Sequence, residues 1–91
     1  MLIPEYQKIM NNLHRISFNG MEFYYSYKTL VGFRDNQEIL ISQNEWGSTS
    51  GLHLNNITAL CNAHLVERIP HKELMNRVNG IIEFVLDGNK R

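Results

Sequence analysis

Between residues 4 and 13 the apolar positions Tyr6, Ile9, Met10 and Leu13 recur at i, i+3, i+4 and i+7. That is the spacing of one stripe along an α-helix. Pro4 suits the first turn of such a helix, where its missing N–H would be unpaired anyway. The pattern predicts an N-terminal helix over residues 1–14. The period then changes. Arg15-Ile16-Ser17-Phe18 and Met21-Glu22-Phe23-Tyr24-Tyr25-Ser26-Tyr27 flank Asn19-Gly20. Asn-Gly between β-forming runs is a strong hairpin signal, because a type I′ turn needs positive φ at both central residues. In the second strand Met21, Phe23, Tyr25 and Tyr27 share the face expected to be core, with Glu22, Tyr24 and Ser26 on the other. A second hairpin is predicted at Asp35-Asn36-Gln37, between Leu30-Val31-Gly32-Phe33-Arg34 and Glu38-Ile39-Leu40-Ile41-Ser42. Gly32 inside a strand marks a bulge or a close backbone approach. Residues 15–46 therefore read as an antiparallel sheet of three to five strands.

The composition of Gly47-Ser48-Thr49-Ser50-Gly51 predicts a loop, taken as residues 47–56. Leu54, Ile57, Leu60 and Cys61 at helical spacing predict a short helix around residues 56–63. A short strand over 65–69 follows it. Pro70 opens a C-terminal helix over 70–88, whose apolar stripe of Leu74, Val78, Ile81, Ile82 and Val85 would pack on the sheet. Asp87-Gly88 should stop that helix, leaving Asn89-Lys90-Arg91 as a frayed tail. Gly80 within the helix costs about 1 kcal/mol against alanine, which a close helix–sheet approach would explain. The expected fold is a single α+β domain.

Size and charge narrow the function classes. A chain of 91 residues fits one domain with a modest core, for which pairing into a homodimer would add stability. Lys and Arg number 9 and Asp and Glu number 9. Non-specific nucleic-acid binding favours a strongly basic domain, so that class has little support. Cys61 is the only cysteine and excludes an internal disulfide. Met1-Leu2-Ile3-Pro4-Glu5 lacks the features of a signal peptide, and the apolar runs fall far short of the ~20 residues that span a bilayer. The expectation is a cytoplasmic protein without membrane partners.

Candidate chemistry concentrates between Trp46 and Asn55, where Ser48, Thr49, Ser50 and His53 follow a strand. Hydroxyls and exposed N–H groups in such a segment suit an anion or a polar ligand, such as a nucleotide. The same residues also have ordinary structural uses: Trp46 packing, Thr49 capping, His53 bonded to backbone. A nucleophile built from Ser48 or Ser50 with His53 lacks both the Gly-x-Ser-x-Gly context and an orienting carboxylate. Glu45 with His53 is the acid–base pair a minor hydrolase would use. Cys61-x-x-His64, with His53 and His71, lacks the paired spacings of a structural zinc site, so neither metal nor cofactor is implied. Tyr24, Tyr25, Tyr27, Phe33 and Trp46, with Arg15, Lys28 and Arg34, form an aromatic-basic set of the kind that binds single-stranded nucleic acid. Most of these rings should be core, with Tyr24 left at the surface by alternation.

One longer pattern links these elements. Phe23-Tyr24-Tyr25-Ser26-Tyr27-Lys28-Thr29 is followed by Val31-Gly32-Phe33-Arg34, then by Glu45-Trp46-Gly47-Ser48-Thr49-Ser50-Gly51 and His53-Leu54-Asn55. This order resembles a small domain family found in uncharacterised proteins of phages and other mobile elements. Leu30, Gly32 and Ser50 depart from the family pattern, which has Pro, Ala and Thr there. The resemblance implies a phage setting inside a bacterial host cell and a fold, but no reaction. With no catalytic constellation in the chain, the expected function is a non-enzymatic module that binds a host or phage protein. Inhibition of a host defence system such as CRISPR is the specific form. The partner surface would include Tyr24, Trp46, Ser48, Thr49, Ser50, His53 and Asn55.

Overall fold

The computed structural model describes residues 3–87. Five strands come first: β1 (Glu5–Met10), β2 (Leu13–Phe18), β3 (Met21–Ser26), β4 (Thr29–Arg34) and β5 (Ile39–Ile41). They form one antiparallel meander in the order β1-β2-β3-β4-β5. Two helices follow, α1 (Ser48–Leu60) and α2 (His71–Leu86). The α+β class and the antiparallel sheet agree with the sequence reading, but one of the five strands, β1, stands where a helix was expected. The order of elements does not agree.

No helix opens the described chain. Residues 5–10 form β1, which pairs with β2 through Glu5↔Ser17, Tyr6↔Ile16, Gln7↔Arg15 and Lys8↔His14. Asn11 and Asn12 make the turn, with Asn12 in the left-handed region at φ 61. Asparagine tolerates that conformation better than most residues, so the pair favours a reversal here over a helix. An irregularity between Lys8 and Met10 also breaks strict alternation, which is how a strand came to show helix-like apolar spacing.

Both predicted hairpins form. Asn19 and Gly20 have φ of 53 and 79, as a type I′ turn demands. At the other, the Asp35 carboxylate accepts hydrogen bonds from the Gln37 and Glu38 N–H groups. A third tight turn at Tyr27-Lys28 joins β3 to β4, with Tyr27 at φ 57. It carries no Gly or Asn signal. Its unusual conformation is held by the Tyr27 N–H, which donates to the Asn12 carbonyl at 2.7 Å.

The helices lie on opposite faces of the sheet. On one face Leu13, Tyr24, Val31 and Ile41 pack with Leu54 and Ile57 of α1. On the other, Met21, Leu30, Phe33 and Leu40 pack with Leu74, Val78 and Ile81 of α2. Gly32 marks a bulge, the first of its two predicted uses, while a Cβ there would make only ordinary contacts. The register shifts opposite it, between Tyr24 and Tyr25, so that Val31 joins the α1 layer beside it. A Cβ on Gly32 would lie 3.4 Å from the Tyr24 Cβ and 3.5 Å from Ile57.

Covering both faces overturns the one-sided alternation expected of β3. Tyr24 is not a surface ring: it is 1% exposed beneath α1.

The predicted loop over 47–56 is also corrected. The helix begins at Ser48, well before residue 56, and runs through Gly51. Asn44 prepares that start. Its Oδ1 accepts from the Trp46 and Gly47 N–H groups, and its Nδ2 donates to the Gly47 carbonyl. Gly51 lies beside it: a Cβ there would stand 2.9 Å from the Asn44 amide nitrogen, so that side chain would have to shift. The expected strand over 65–69 reduces to a single parallel bridge, Ser42↔Ile69. The C-terminal helix packs on the sheet as predicted, but Gly80 does not mark a close approach: it is exposed, with nothing within 4 Å of a Cβ placed on it. The helix ends at Leu86 with Asp87 as its cap. Gly88 and the tail Asn89-Lys90-Arg91 lie outside the described residues.

Candidate functional site

From Ser48 onward the nominated segment is part of α1, a helix with two unlike sides. Ser50 and His53 point inward with Leu54 and Ile57, whereas Ser48, Thr49, Leu52, Asn55, Ala59 and Leu60 face outward. The residues nominated from sequence are therefore divided rather than gathered.

His53 is 1% exposed and anchors one corner of the sheet. Its Nε2 lies 3.0 Å from the Asn11 carbonyl, and its Nδ1 lies 2.7 Å from the Ser26 hydroxyl. A carbonyl only accepts, so Nε2 carries a proton, and Nδ1 shares the second hydrogen bond with the Ser26 hydroxyl. Ser50 Oγ stands 3.4 Å from Ser26 Oγ and completes the chain of hydroxyls. The Tyr27 ring packs 6.0 Å from the imidazole. One side chain of α1 thus ties together the β1–β2 turn, the end of β3 and the β3–β4 turn. Both ring nitrogens are occupied and no carboxylate orients the ring, so this serine–histidine pair is a structural node.

The proposed Glu45–His53 acid–base pair is not assembled. Glu45 Oε2 instead accepts from the His71 N–H at 2.8 Å, where a carboxylate complements the positive N-terminus of α2. His71 Nε2 lies 3.0 Å from the Leu30 carbonyl, fixing that helix to β4. The Trp46 ring meets the His71 ring edge-on at 5.0 Å and stays 43% exposed.

Tyr24 belongs to a polar chain inside the α1 layer. Its hydroxyl donates to Glu22 Oε1 at 2.7 Å and accepts from the Cys61 thiol at 3.5 Å. Arg34 pairs with the same Glu22 oxygen at 2.6 Å. Burial above all, with the Glu22 and Cys61 contacts adding to it, pushes the Tyr24 phenol well above the usual tyrosine range. Cys61 is buried and engaged here, and His64 lies on the surface. Among the described residues no group of three or more His, Cys, Asp or Glu could hold a metal ion, so Cys61, His64, His53 and His71 do not converge.

What remains outward has a character the sequence reading missed. The sequence of α1, Ser-Thr-Ser-Gly-Leu-His-Leu-Asn-Asn-Ile-Thr-Ala-Leu, contains no Asp, Glu, Lys or Arg. Leu52 and Leu60 are 54% and 48% exposed on it. A helix resting on a core normally turns charged and polar groups to water. The signal was available: thirteen consecutive residues without a formal charge, once they are recognised as a helix. A separate open cleft of 840 Å³ lies at the opposite end of the sheet, lined in part by Glu5, Ser17, Glu22, Arg34 and Asp35. Of the seven residues expected to form a partner surface, Trp46, Ser48, Thr49 and Asn55 are exposed, whereas Tyr24, Ser50 and His53 are buried.

Among the described residues no helix is long and apolar enough to cross a membrane. No curated protein and no solved structure matches the chain. A family model does match, over residues 1–76, and so takes in the whole sheet, α1 and the start of α2. By that match the chain belongs to DUF8033, a family of unknown function.

Proposed function

We propose that the chain is a non-enzymatic protein-binding module whose contact surface is the outward face of α1 together with Trp46. The observation that supports this is the absence of any formal charge from a helix whose Leu52, Ala59 and Leu60 face solvent. The centres of protein interfaces are depleted in charge and enriched in aromatic anchors. The matching partner is a polypeptide with an apolar, uncharged surface. The finer form of the proposal rests on the sequence resemblance alone: a phage or mobile-element protein acting in the bacterial cytoplasm against a host defence complex, as an anti-CRISPR does. A nucleotide or anion held by Ser48, Thr49, Ser50 and His53 has less support, because two of those side chains face inward and two outward. A hydrolase reading is weaker still with His53 buried.

The test is affinity capture from bacterial lysate with the parent chain and with a Leu52→Glu/Leu60→Glu variant, read by quantitative mass spectrometry. A protein retained by the parent and lost by a variant of unchanged circular dichroism supports the proposal. Identical captured sets count against it.

A further inference from the structure

The connection between the helices borders an open pocket of 310 Å³ lined by Asn55, Thr58, Ala63, His64, Val66 and Arg68. Arg68 is the only charged residue in that lining. Its Nη2 donates to Asn55 Oδ1 at 3.0 Å and to Thr58 Oγ1 at 3.1 Å. Both acceptors are neutral, and the Thr58 hydroxyl donates its own hydrogen bond to the Leu54 carbonyl at 2.9 Å. Among the described residues no carboxylate pairs with this guanidinium, and its Nε and Nη1 groups have no acceptor. Arginine N–H groups form their strongest bonds with ionised oxygens. A guanidinium fixed by two neutral bonds, with three N–H groups still unused, is preorganised for such a partner.

We propose that this pocket binds an oxyanion, a phosphate ester or a carboxylate, with Arg68 as the principal ligand. The Asn55 amide nitrogen and the exposed His64 ring supply further donors at the rim. The assignment stands apart from the docking reading of α1, since the pocket could be filled by a small molecule with no protein attached. A purely structural arginine is the competing account. It would use only Nη2, complement the carbonyl end of α1 and bind no anion saturably.

Heteronuclear NMR of the full chain separates the two accounts, with chloride exchanged at constant ionic strength for inorganic phosphate in one arm and acetate in the other. The expected result is saturable shifts of the Arg68 Nε–H, the Asn55 side-chain amide and the His64 backbone amide, at least about tenfold weaker in binding for Arg68→Gln. Tighter phosphate binding identifies a phosphate ester and tighter acetate binding a carboxylate; either supports the site. Shifts that rise without saturation, or that persist unchanged in Arg68→Gln, overturn it. Should that variant fail to fold, saturation at these three resonances in the parent chain decides the question alone.

Discussion

At the scale of single residues, two of the polar side chains that looked chemical in the sequence, Ser50 and His53, sit at the corner of a sheet. His53 illustrates this. A histidine after a serine- and threonine-rich stretch reads as a ligand or base, and only the fold reveals that its two nitrogens meet Ser26 and the Asn11 carbonyl. Those partners lie 27 and 42 residues away in the chain, beyond any local pattern. His53→Ala leaves a buried hydroxyl and carbonyl unpaired and opens a cavity, so it should cost about 2–4 kcal/mol. Urea unfolding measures this, and an unchanged midpoint would contradict the assigned role.

Tyr24 gives a prediction with a pH dependence. The free phenol titrates near pH 10, whereas burial and the Glu22 bond keep Tyr24 protonated to higher pH in the fold. Its stabilising contribution is therefore fully present below about pH 10 and is lost as pH rises toward the folded value. Tyr24→Phe removes the hydroxyl bonds, so its melting temperature should lie below that of the parent at neutral pH. The gap should close above about pH 10, where only the parent carries this titration. A gap constant across that range would sink the argument.

At the scale of elements, the two misread segments share a cause. Residues 5–10 are a strand because the Asn11-Asn12 turn returns the chain onto β2, an effect of pairing that four apolar residues at helical spacing do not report. Residues 48–55 are helical because Asn44 gathers the preceding N–H groups and Leu54 and Ile57 dock on β3 and β4. Tertiary burial outweighs the weak helix preference of Ser, Thr and Gly. By contrast, Asn19-Gly20, the Asp35–Gln37 turn and the stripe of α2 were legible because each is specified within a few residues.

The same division predicts opposite outcomes within one helix. Leu54→Ala removes a fully buried side chain and should cost about 2–5 kcal/mol. Leu52→Glu on the outward face should change stability by less than about 0.5 kcal/mol. In α2, Gly80 is exposed with open space around it, so Gly80→Ala should stabilise the chain by about 0.5–1 kcal/mol. Thermal or denaturant unfolding of the three variants checks the set.

At the scale of the whole molecule, a five-stranded meander carries one helix on each face, and that layering decides what is left for function. It buries Tyr24, Ser50 and His53 and leaves Trp46, Thr49, Leu52, Asn55 and Leu60 at the surface. Alternation along β3 could not distinguish this arrangement from a sheet with one wet face, since both give the same period of two. The central claim is that α1 works by its outside while its inside holds the fold. The direct measurement is a methyl NMR titration of the leucine-labelled chain with the partner recovered by capture. The account predicts that the Leu52 and Leu60 methyls shift or broaden on addition while Leu13 and Leu74 in the two cores stay unchanged. Perturbation confined to residues away from α1, with Leu52 and Leu60 unmoved, would contradict it.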